Sequence, residues 1–316
     1  MSQPRRIPRR RAWTALTLPA LICALAACST APAADGGTDA AGPAREVSPT
    51  PTGPPGTLFD DFDYTGADDP SFAANGWEIR TSGGGPGIKG TWSTEGAAFP
   101  ADPTAEGGKV LRLRSSTDGT AQGTTQVEVQ TTSRNFFTGT FAARVHFSDE
   151  PTSGRDGDHV VQTFFPISSS GSSENYSELD FEYLPNGGWG SVGPRLDTVS
   201  WYKADPPDRV HDTLKQHLEG WHTLMITAMD GKVTYSLDGK KVFTSSGKYV
   251  PRDQMDIHFS NWFIDLPFTG GPRTWDMKVD WVYHKADETV SQADVQKAVD
   301  GFRSSGTDYV DTVPKP

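Results

Sequence analysis

The stretch NYSELDFEY, residues 175–183, carries an acidic side chain at every second position of its second half. Side chains of a β-strand alternate between its two faces, so Glu178, Asp180 and Glu182 point one way and the apolar residues between them point the other. Neighbouring carboxylates repel one another and raise the pKa of at least one of them. The stretch therefore predicts a strand with a buried apolar face and an acidic face that is either merely solvated or part of a site.

Many further runs of the same kind surround this stretch. From about Thr57 to His284 the chain alternates short runs rich in Val, Phe, Thr, Trp and Tyr with clusters of Gly, Pro, Asp and Ser. Such runs, with no helical segments between them, predict an all-β sandwich rather than a parallel α/β sheet. Asp-Gly pairs at 230–231 and 238–239 predict tight hairpins between consecutive strands.

One helix is predicted, after Ala286. Ser291 has the residue type and position of an N-cap, Asp294 follows three residues later, and a set of apolar residues repeats with helical spacing. That set is Val295, Ala298, Val299 and Phe302. We expect this short C-terminal helix to pack on the outside of the sandwich.

The N-terminal segment has the pattern of an export signal. Five arginines within residues 1–11 precede an apolar run, which is typical of a secretory signal peptide over residues 1–27. The run ends in Leu25-Ala26-Ala27-Cys28, which resembles a bacterial lipobox with Cys28 as the lipidated residue, and cleavage at an A-x-A-like site is the alternative. Residues 28–56, rich in Ala, Gly, Pro and Thr, predict a disordered tether. We expect an extracytoplasmic protein, either a cell-surface lipoprotein or secreted, and leave the export route open.

Composition limits the partners. The net charge of −11 argues against nucleic acid, whose phosphates need basic residues, and mildly against polyanionic substrates, while a neutral polymer is compatible. Of the two cysteines, Cys23 lies in the predicted signal peptide, so with Cys28 lipidated no disulfide forms. The chain is long enough to hold one large domain together by its core. We expect a monomer whose one contact with a membrane is the lipid anchor.

The alternating runs resemble glycoside hydrolase family 16, the lichenase and laminarinase group. The segment ELDFE, residues 178–182, is similar to that family's catalytic E-x-D-x-E in the version without a bulge. Further segments follow in the family's order: LFDDFDY (58–64), GGKVLRLRSS (107–116), FFTGTFAARV (136–145), TFFPI (163–167), GWHTLMITAMDGKVTYSLDGKKVF (220–243), NWF (261–263) and VDWVYH (279–284). The resemblance implies a concanavalin A-like β-jelly-roll of two antiparallel sheets over residues 57–285, followed by a helix and tail over 286–316.

The resemblance also implies roles for single residues. It makes Glu178 the nucleophile, Glu182 the general acid/base and Asp180 the residue that tunes their protonation in a retaining mechanism. It places a further set against the substrate, namely Arg144, Phe165, Tyr176 and Trp262, with Ser200 and Tyr202 from the strand after the motif. We therefore expect an enzyme that hydrolyses O-glycosyl bonds within a neutral polysaccharide, a β-1,3- or β-1,3-1,4-glucan. The alternatives are a transglycosylase and a non-catalytic surface carbohydrate-binding protein.

Some positions depart from the family pattern. Ala142 stands where the lichenase branch carries an acidic residue, and Ala228 stands where a tryptophan is common. These departures leave the three carboxylates intact but give no basis for naming the sugar. The seven histidines lack the spacing of metal ligands, so we expect no cofactor. Asp60, Asp61 and Asp280 lie where some family members hold a structural calcium ion, which is the one metal to be considered.

Overall fold

The structure is a computed structural model that describes residues 53–168 and 174–315. The predicted signal peptide, Cys28 and most of the predicted tether lie outside the described residues. Within them there are eighteen β-strands and two α-helices. The strands are β1 (Thr57–Asp60), β2 (Trp77–Ile79), β3 (Ala97–Ala98), β4 (Leu111–Thr117), β5 (Val127–Thr131), β6 (Gly139–Phe147), β7 (Val160–Ile167), β8 (Glu178–Leu184), β9 (Gly187–Gly188), β10 (Ser191–Val192), β11 (Arg195–Lys203), β12 (Asp208–Leu214), β13 (Gly220–Met229), β14 (Lys232–Leu237), β15 (Lys240–Ser246), β16 (Asp256–Phe263), β17 (Arg273–Ala286) and β18 (Tyr309–Asp311), and the helices are α1 (Pro70–Ala74) and α2 (Gln292–Ser304).

Two large antiparallel sheets contain nearly all of these strands. The nine-stranded sheet has the order β15-β14-β13-β6-β17-β1-β18, with β4 paired to β17 and β3 to β4. The seven-stranded sheet has the order β12-β11-β8-β7-β16-β5-β2, and β9 and β10 form a separate small hairpin. The predicted sandwich of two antiparallel sheets is confirmed.

The core lies between the two sheets. On the seven-stranded sheet it includes Leu179, Phe181 and Tyr183 of β8, all fully buried, and on the nine-stranded sheet it includes Phe141 and Leu224. Each such side chain contributes about 1.5–3 kcal/mol by leaving water. Because the apolar side chains of β8 are committed to the core, its three carboxylates must lie on the outer face.

The two predicted hairpins form as the Asp-Gly pairs require. Asp230 and Gly231 have φ of 52° and 72°, and Asp238 and Gly239 have φ of 49° and 74°. Positive φ at both central residues matches the twist of paired strands, and glycine adopts it without steric cost. These turns join β13 to β14 and β14 to β15.

The C-terminal residues pack on the nine-stranded sheet and add a strand to it. Ser291 caps α2 by accepting a hydrogen bond from the Asp294 amide, and Val295 and Val299 are buried against the nine-stranded sheet as predicted. The segment after Ala286 also contains β18, which pairs with β1 and which the sequence did not indicate. Helix α1 was likewise not predicted, although Asp69 caps it and Pro70 begins it. No helix of the described residues is long and apolar enough to cross a membrane.

Candidate active site

The three carboxylates of β8 lie in the centre of the outer face of the seven-stranded sheet. β8 pairs with β11 and β7 in an unbroken register, so the strand carries no bulge within ELDFE. Glu178 and Glu182 are half-buried and Asp180 is buried. The regular alternation that the sequence predicts therefore brings all three onto one surface.

Asp180 is the most strongly perturbed of the three. Burial, and then the charges of Glu178 and Glu182, raise the pKa of Asp180 well above its usual range, while a hydrogen bond from Trp201 opposes this. That hydrogen bond runs from the indole Nε1 to Asp180 Oδ2 over 2.8 Å. Asp180 is thus held in place from β11, and burial and the neighbouring charges favour its protonated form relative to an ordinary aspartate.

The two glutamates differ in what surrounds them. The pKa of Glu178 is raised above its usual range, because burial raises it by more than the hydrogen bonds from the Tyr176 hydroxyl and from Asp180 and the charge of His258 lower it. Burial and the charge of Glu178 raise the pKa of Glu182 to about 8. Two hydrogen bonds thus oppose the effect of burial on Glu178, while a pKa of about 8 keeps Glu182 mostly protonated at neutral pH.

A groove crosses the sheet at these carboxylates. Two cavities, of about 490 Å³ and about 1070 Å³, adjoin each other because both are lined by the three carboxylates, Pro86, Ile167 and Trp262. The smaller one extends over β16, β5 and the loop at residues 82–86, and the larger one over β11 and β12. We call the two together the groove. It has open space on either side of the carboxylates.

Aromatic rings line the groove. The structure places the predicted residues Phe165 and Trp262 there, and it places Tyr176 beside Glu178 as a hydrogen-bond donor. Sequence reasoning missed Trp189, which is 54% exposed and whose ring centroid lies 6.0 Å from that of Trp262. An aromatic residue within the glycine-rich stretch GGWGSVG was the available signal, since such loops carry residues that reach outward.

Two predicted substrate contacts on β11 lie elsewhere. Val199 is opposite Asp180 and Trp201 is opposite Glu178 in the strand register, so the odd-numbered residues of β11 share the face of the carboxylates. Ser200 instead faces the core, where it is fully buried and its hydroxyl pairs with Tyr235 and Ser245. The prediction of Ser200 as a groove residue is wrong, and the next residue, Trp201, lines the groove instead.

Tyr202 also lies away from the groove. Its ring packs beneath the guanidinium of Arg252, 4.0 Å from the ring centroid, and near the ammonium of Lys248. It is absent from the residues that line either half of the groove. Tyr202 is the extra residue at an irregularity in the pairing of β11 with β12, between Trp201 and Lys203, so the regular alternation of the strand does not place it beside the carboxylates.

Arg144 lies on the other sheet. It belongs to β6, pairs with Asp280 and Glu106, and stacks its guanidinium 4.5 Å from the ring centroid of Trp221. Since β6 is a strand of the nine-stranded sheet, a sandwich of two layers separates Arg144 from the groove. The predicted substrate contact of Arg144 is therefore wrong, and its role is to neutralise a buried carboxylate.

The acidic residues considered for calcium already have partners. Asp61 and Asp280 bind the guanidinium of Arg303 from α2, and Asp60 accepts hydrogen bonds from Tyr64 and Trp77. Among the described residues no group of three or more His, Cys, Asp or Glu side chains is arranged to hold a metal ion. The Arg303 guanidinium supplies the positive charge that compensates the two carboxylates.

Solved structures with a similar fold include glucanases. The β-glucanase of Bacillus licheniformis matches with a TM-score of 0.52 at 12% identity, over 73% of this chain and 98% of that one. A family 16 endo-glucanase from Bacteroides ovatus, in complex with G4G3G-2F-DNP, matches with a TM-score of 0.53 at 14% identity, over 71% and 98%. Rv0315 of Mycobacterium tuberculosis, described as an immunostimulatory antigen and pseudo β-1,3-glucanase, matches with a TM-score of 0.51 at 17% identity, over 72% and 97%.

The fold is thus the β-jelly-roll of the family 16 glucanases. At these identities the likeness establishes the fold, and the chemistry has to be argued from the residues of the groove. No protein-family model and no curated protein matches the chain.

Proposed function

We propose that the protein is a retaining, endo-acting glycoside hydrolase that cleaves internal β-linkages of a polysaccharide, with β-1,3- and β-1,3-1,4-glucans as the first substrates to test. The observation that carries the proposal is the arrangement of Glu178, Asp180 and Glu182 on one face of β8, where all three have raised pKa values and two of them have specific hydrogen-bond donors. A solvated acidic face would leave the three carboxylates free of specific donors. Here Tyr176 and Trp201 each donate a hydrogen bond to one of them.

The proposed reaction has two steps. Glu178 attacks the anomeric carbon while Glu182 donates its proton to the departing glycosidic oxygen, which breaks the linkage and leaves a glycosyl ester on Glu178. In the second step Glu182, now ionised, takes a proton from water, and the resulting attack on the anomeric carbon releases the sugar and restores Glu178. Asp180 is not consumed in either step. Its hydrogen bond to Glu178 orients the nucleophile before the attack.

The shape of the groove favours internal cleavage. Cavity space lies on both sides of the carboxylates, so sugar residues can bind before and after the bond that is cut. An enzyme that removes terminal sugars needs a site that ends at the catalytic groups.

The first test is release of reducing ends by the purified full-length protein from barley mixed-linkage glucan, laminarin, agarose and xyloglucan. Glu178→Gln is expected to abolish release, and Glu182→Gln is expected to lower kcat by roughly 10²- to 10⁴-fold, the usual contribution of general acid catalysis. The matched control is Glu95→Gln, which changes an exposed glutamate outside the groove and is expected to leave the rate unchanged. Proton NMR of the first product is expected to show the retained β-anomer.

Other outcomes would identify the alternative functions. Oligosaccharides longer than the starting material would indicate a transglycosylase. Rv0315, which shares this fold, is described as a pseudo β-1,3-glucanase, so a groove that binds a glycan without cutting it is the second candidate. Retention on a polysaccharide gel, with no reducing ends released and no effect of Glu178→Gln, would establish that binding function and refute the mechanism.

We also propose that the chain acts outside the cytoplasm and is anchored through Cys28, on the basis of its lipobox-like sequence. Metabolic labelling with a radioactive fatty acid is expected to mark the wild-type protein in a bacterial host and to leave Cys28→Ala unlabelled. Equal labelling of both proteins would exclude Cys28 as the lipid acceptor.

A further inference from the structure

The two halves of the groove differ in charge. In the smaller half each basic side chain faces an acidic one: Arg80 pairs with Glu128, and Arg134 pairs with Asp256. The Nδ1 atom of His258 also lies 3.4 Å from Glu128. The charges of that half are therefore largely compensated within the protein.

The larger half carries basic side chains that form no salt bridge. Arg209, His211 and Lys215 are exposed and line it, and among the described residues no carboxylate lies within salt-bridge distance of any of them, although the charge of Arg209 lowers the pKa of Glu182. The carboxylate of Asp197, which lies nearby, is engaged by the guanidinium of Arg195 through two hydrogen bonds. It also accepts a 2.6 Å hydrogen bond from the Thr213 hydroxyl. In a chain whose net charge is −11, this row of basic side chains without salt bridges is a local exception.

Arg209 and His211 lie on the groove side of β12, and Lys215 directly follows that strand. Arg209, His211 and Thr213 of β12 are opposite Trp201, Val199 and Asp197 of β11, and these odd-numbered β11 residues share the face of the carboxylates. The Arg209 guanidinium lies 4.4 Å from the ring centroid of Trp201, whose indole nitrogen is bonded to Asp180. The side chain of Trp201 thus links Arg209 to Asp180 of β8.

Protection of a sheet edge is the structural explanation to be weighed against a binding role. β12 is an edge strand, and charged residues on edge strands discourage pairing with other chains. That protection can be provided by charges on either face of the strand. On β12 the basic residues are confined to the groove face, while Val210 and Leu214 are on the opposite one, Leu214 packing against the core.

We propose that this side of the groove binds an anionic substituent of the glycan, a carboxylate or a sulfate ester, so that the substrate carries acidic groups on one side of the cleaved bond. A sugar ring stacked on Trp189 or Trp201 would bring its substituents to Arg209 and Lys215. The overall negative charge disfavours a densely charged polyanion, and the compensated half of the groove suits neutral sugars. The substrate class is therefore a polysaccharide with acidic groups at intervals, which replaces the neutral polymer expected from net charge alone.

That the ligand is a glycan rests on the proposed function. The test therefore measures binding in the absence of hydrolysis. The Glu178→Gln protein is run through native gels that contain laminarin, carboxymethyl laminarin or laminarin sulfate, and through the same three forms of barley glucan. Within each trio the backbone is constant and the anion varies. Stronger retention by one modified form identifies the carboxylate or the sulfate as the preferred group.

Substitutions then locate the binding. Arg209→Gln and Lys215→Gln are each expected to weaken retention by the anionic form roughly two- to five-fold, the size of an exposed ion pair, and the double variant roughly ten-fold. The control is Lys232→Gln, an exposed lysine on β14 of the other sheet, which is expected to change nothing. Raising the salt concentration to about 1 M, where the Debye length is about 3 Å, is expected to remove the preference.

Three results would overturn the inference: equal retention by neutral and anionic forms, a preference that the double variant keeps, or no retention by any of the six polymers. The outcome is separable from that of the proposed function. A wild-type protein that binds the anionic form through β12 but releases no reducing ends would refute the hydrolase and leave this inference standing.

Discussion

The hydrogen bond from Tyr176 to Glu178 provides the sharpest test of the catalytic roles. The Tyr176 hydroxyl donates to Glu178 Oε2 and stabilises the ionised carboxylate, which is the form that attacks. In Tyr176→Phe that donor is gone, so the pKa of Glu178 rises and the acidic limb of the pH profile of kcat/KM moves to higher pH. A hydrogen bond to a charged group contributes about 1.5–3 kcal/mol, which corresponds to roughly one to two pH units. Since Glu178 is half-buried, water replaces part of the lost interaction, and we expect a shift of about one unit.

The assay is kcat/KM between about pH 3 and pH 9 on whichever polysaccharide the wild-type protein cuts. Tyr202→Phe is the matched control, because the Tyr202 ring packs on Arg252 outside the groove, and its profile is expected to coincide with that of the wild type. Equal thermal midpoints for the three proteins would exclude a folding defect. An acidic limb that stays in place in Tyr176→Phe would refute the assignment of Glu178 as the ionised nucleophile.

Three further outcomes are expected. The pKa of Glu182 is raised to about 8 and the general acid must be protonated, so kcat/KM is expected to fall as the pH rises through about 8. With an aryl glycoside whose leaving group needs no proton, the Glu182→Gln protein is expected to lack this basic limb of the pH profile. Arg273→Ala leaves the fully buried Asp158 carboxylate without its guanidinium partner and is expected to lower the free energy of unfolding by about 3–5 kcal/mol, measured in urea. The control Lys248→Ala breaks an exposed ion pair and should change the free energy of unfolding little. Truncation after Ala286 removes α2 and β18, uncovers the apolar side chains beneath them and is expected to abolish the cooperative thermal transition, so an unchanged midpoint would show that residues 286–316 are dispensable.

Part of the site follows from local sequence alone. The alternation of charged and apolar residues in ELDFE determines which side chains of β8 share a face, because that period belongs to any β-strand whatever its neighbours are. The apolar set Leu179, Phe181 and Tyr183 seeks the core, and the carboxylates are thereby directed outward. Two Asp-Gly turns and the cap of α2 were predictable for the same reason, since each depends on a few adjacent residues.

The remaining features depend on pairing between distant strands. β11 reads RLDTVSWYK, which has polar and apolar residues on both faces, so its sequence does not indicate that Trp201 rather than Ser200 faces the groove. The register against β8 decides this. Arg144 lies on a strand whose own pattern fits either sheet, and only the topology assigns it to the nine-stranded one.

By itself, then, the sequence determined a β-sandwich and the surface on which its three carboxylates stand, because alternation and turn chemistry are local properties. Only the tertiary structure decided which aromatic rings border those carboxylates, how burial and neighbouring charges raise their pKa values, and that Arg209 and Lys215 form no salt bridge among the described residues. Each of these depends on groups far apart in the chain, whose distances and burial are set when β8, β11 and β12 pair.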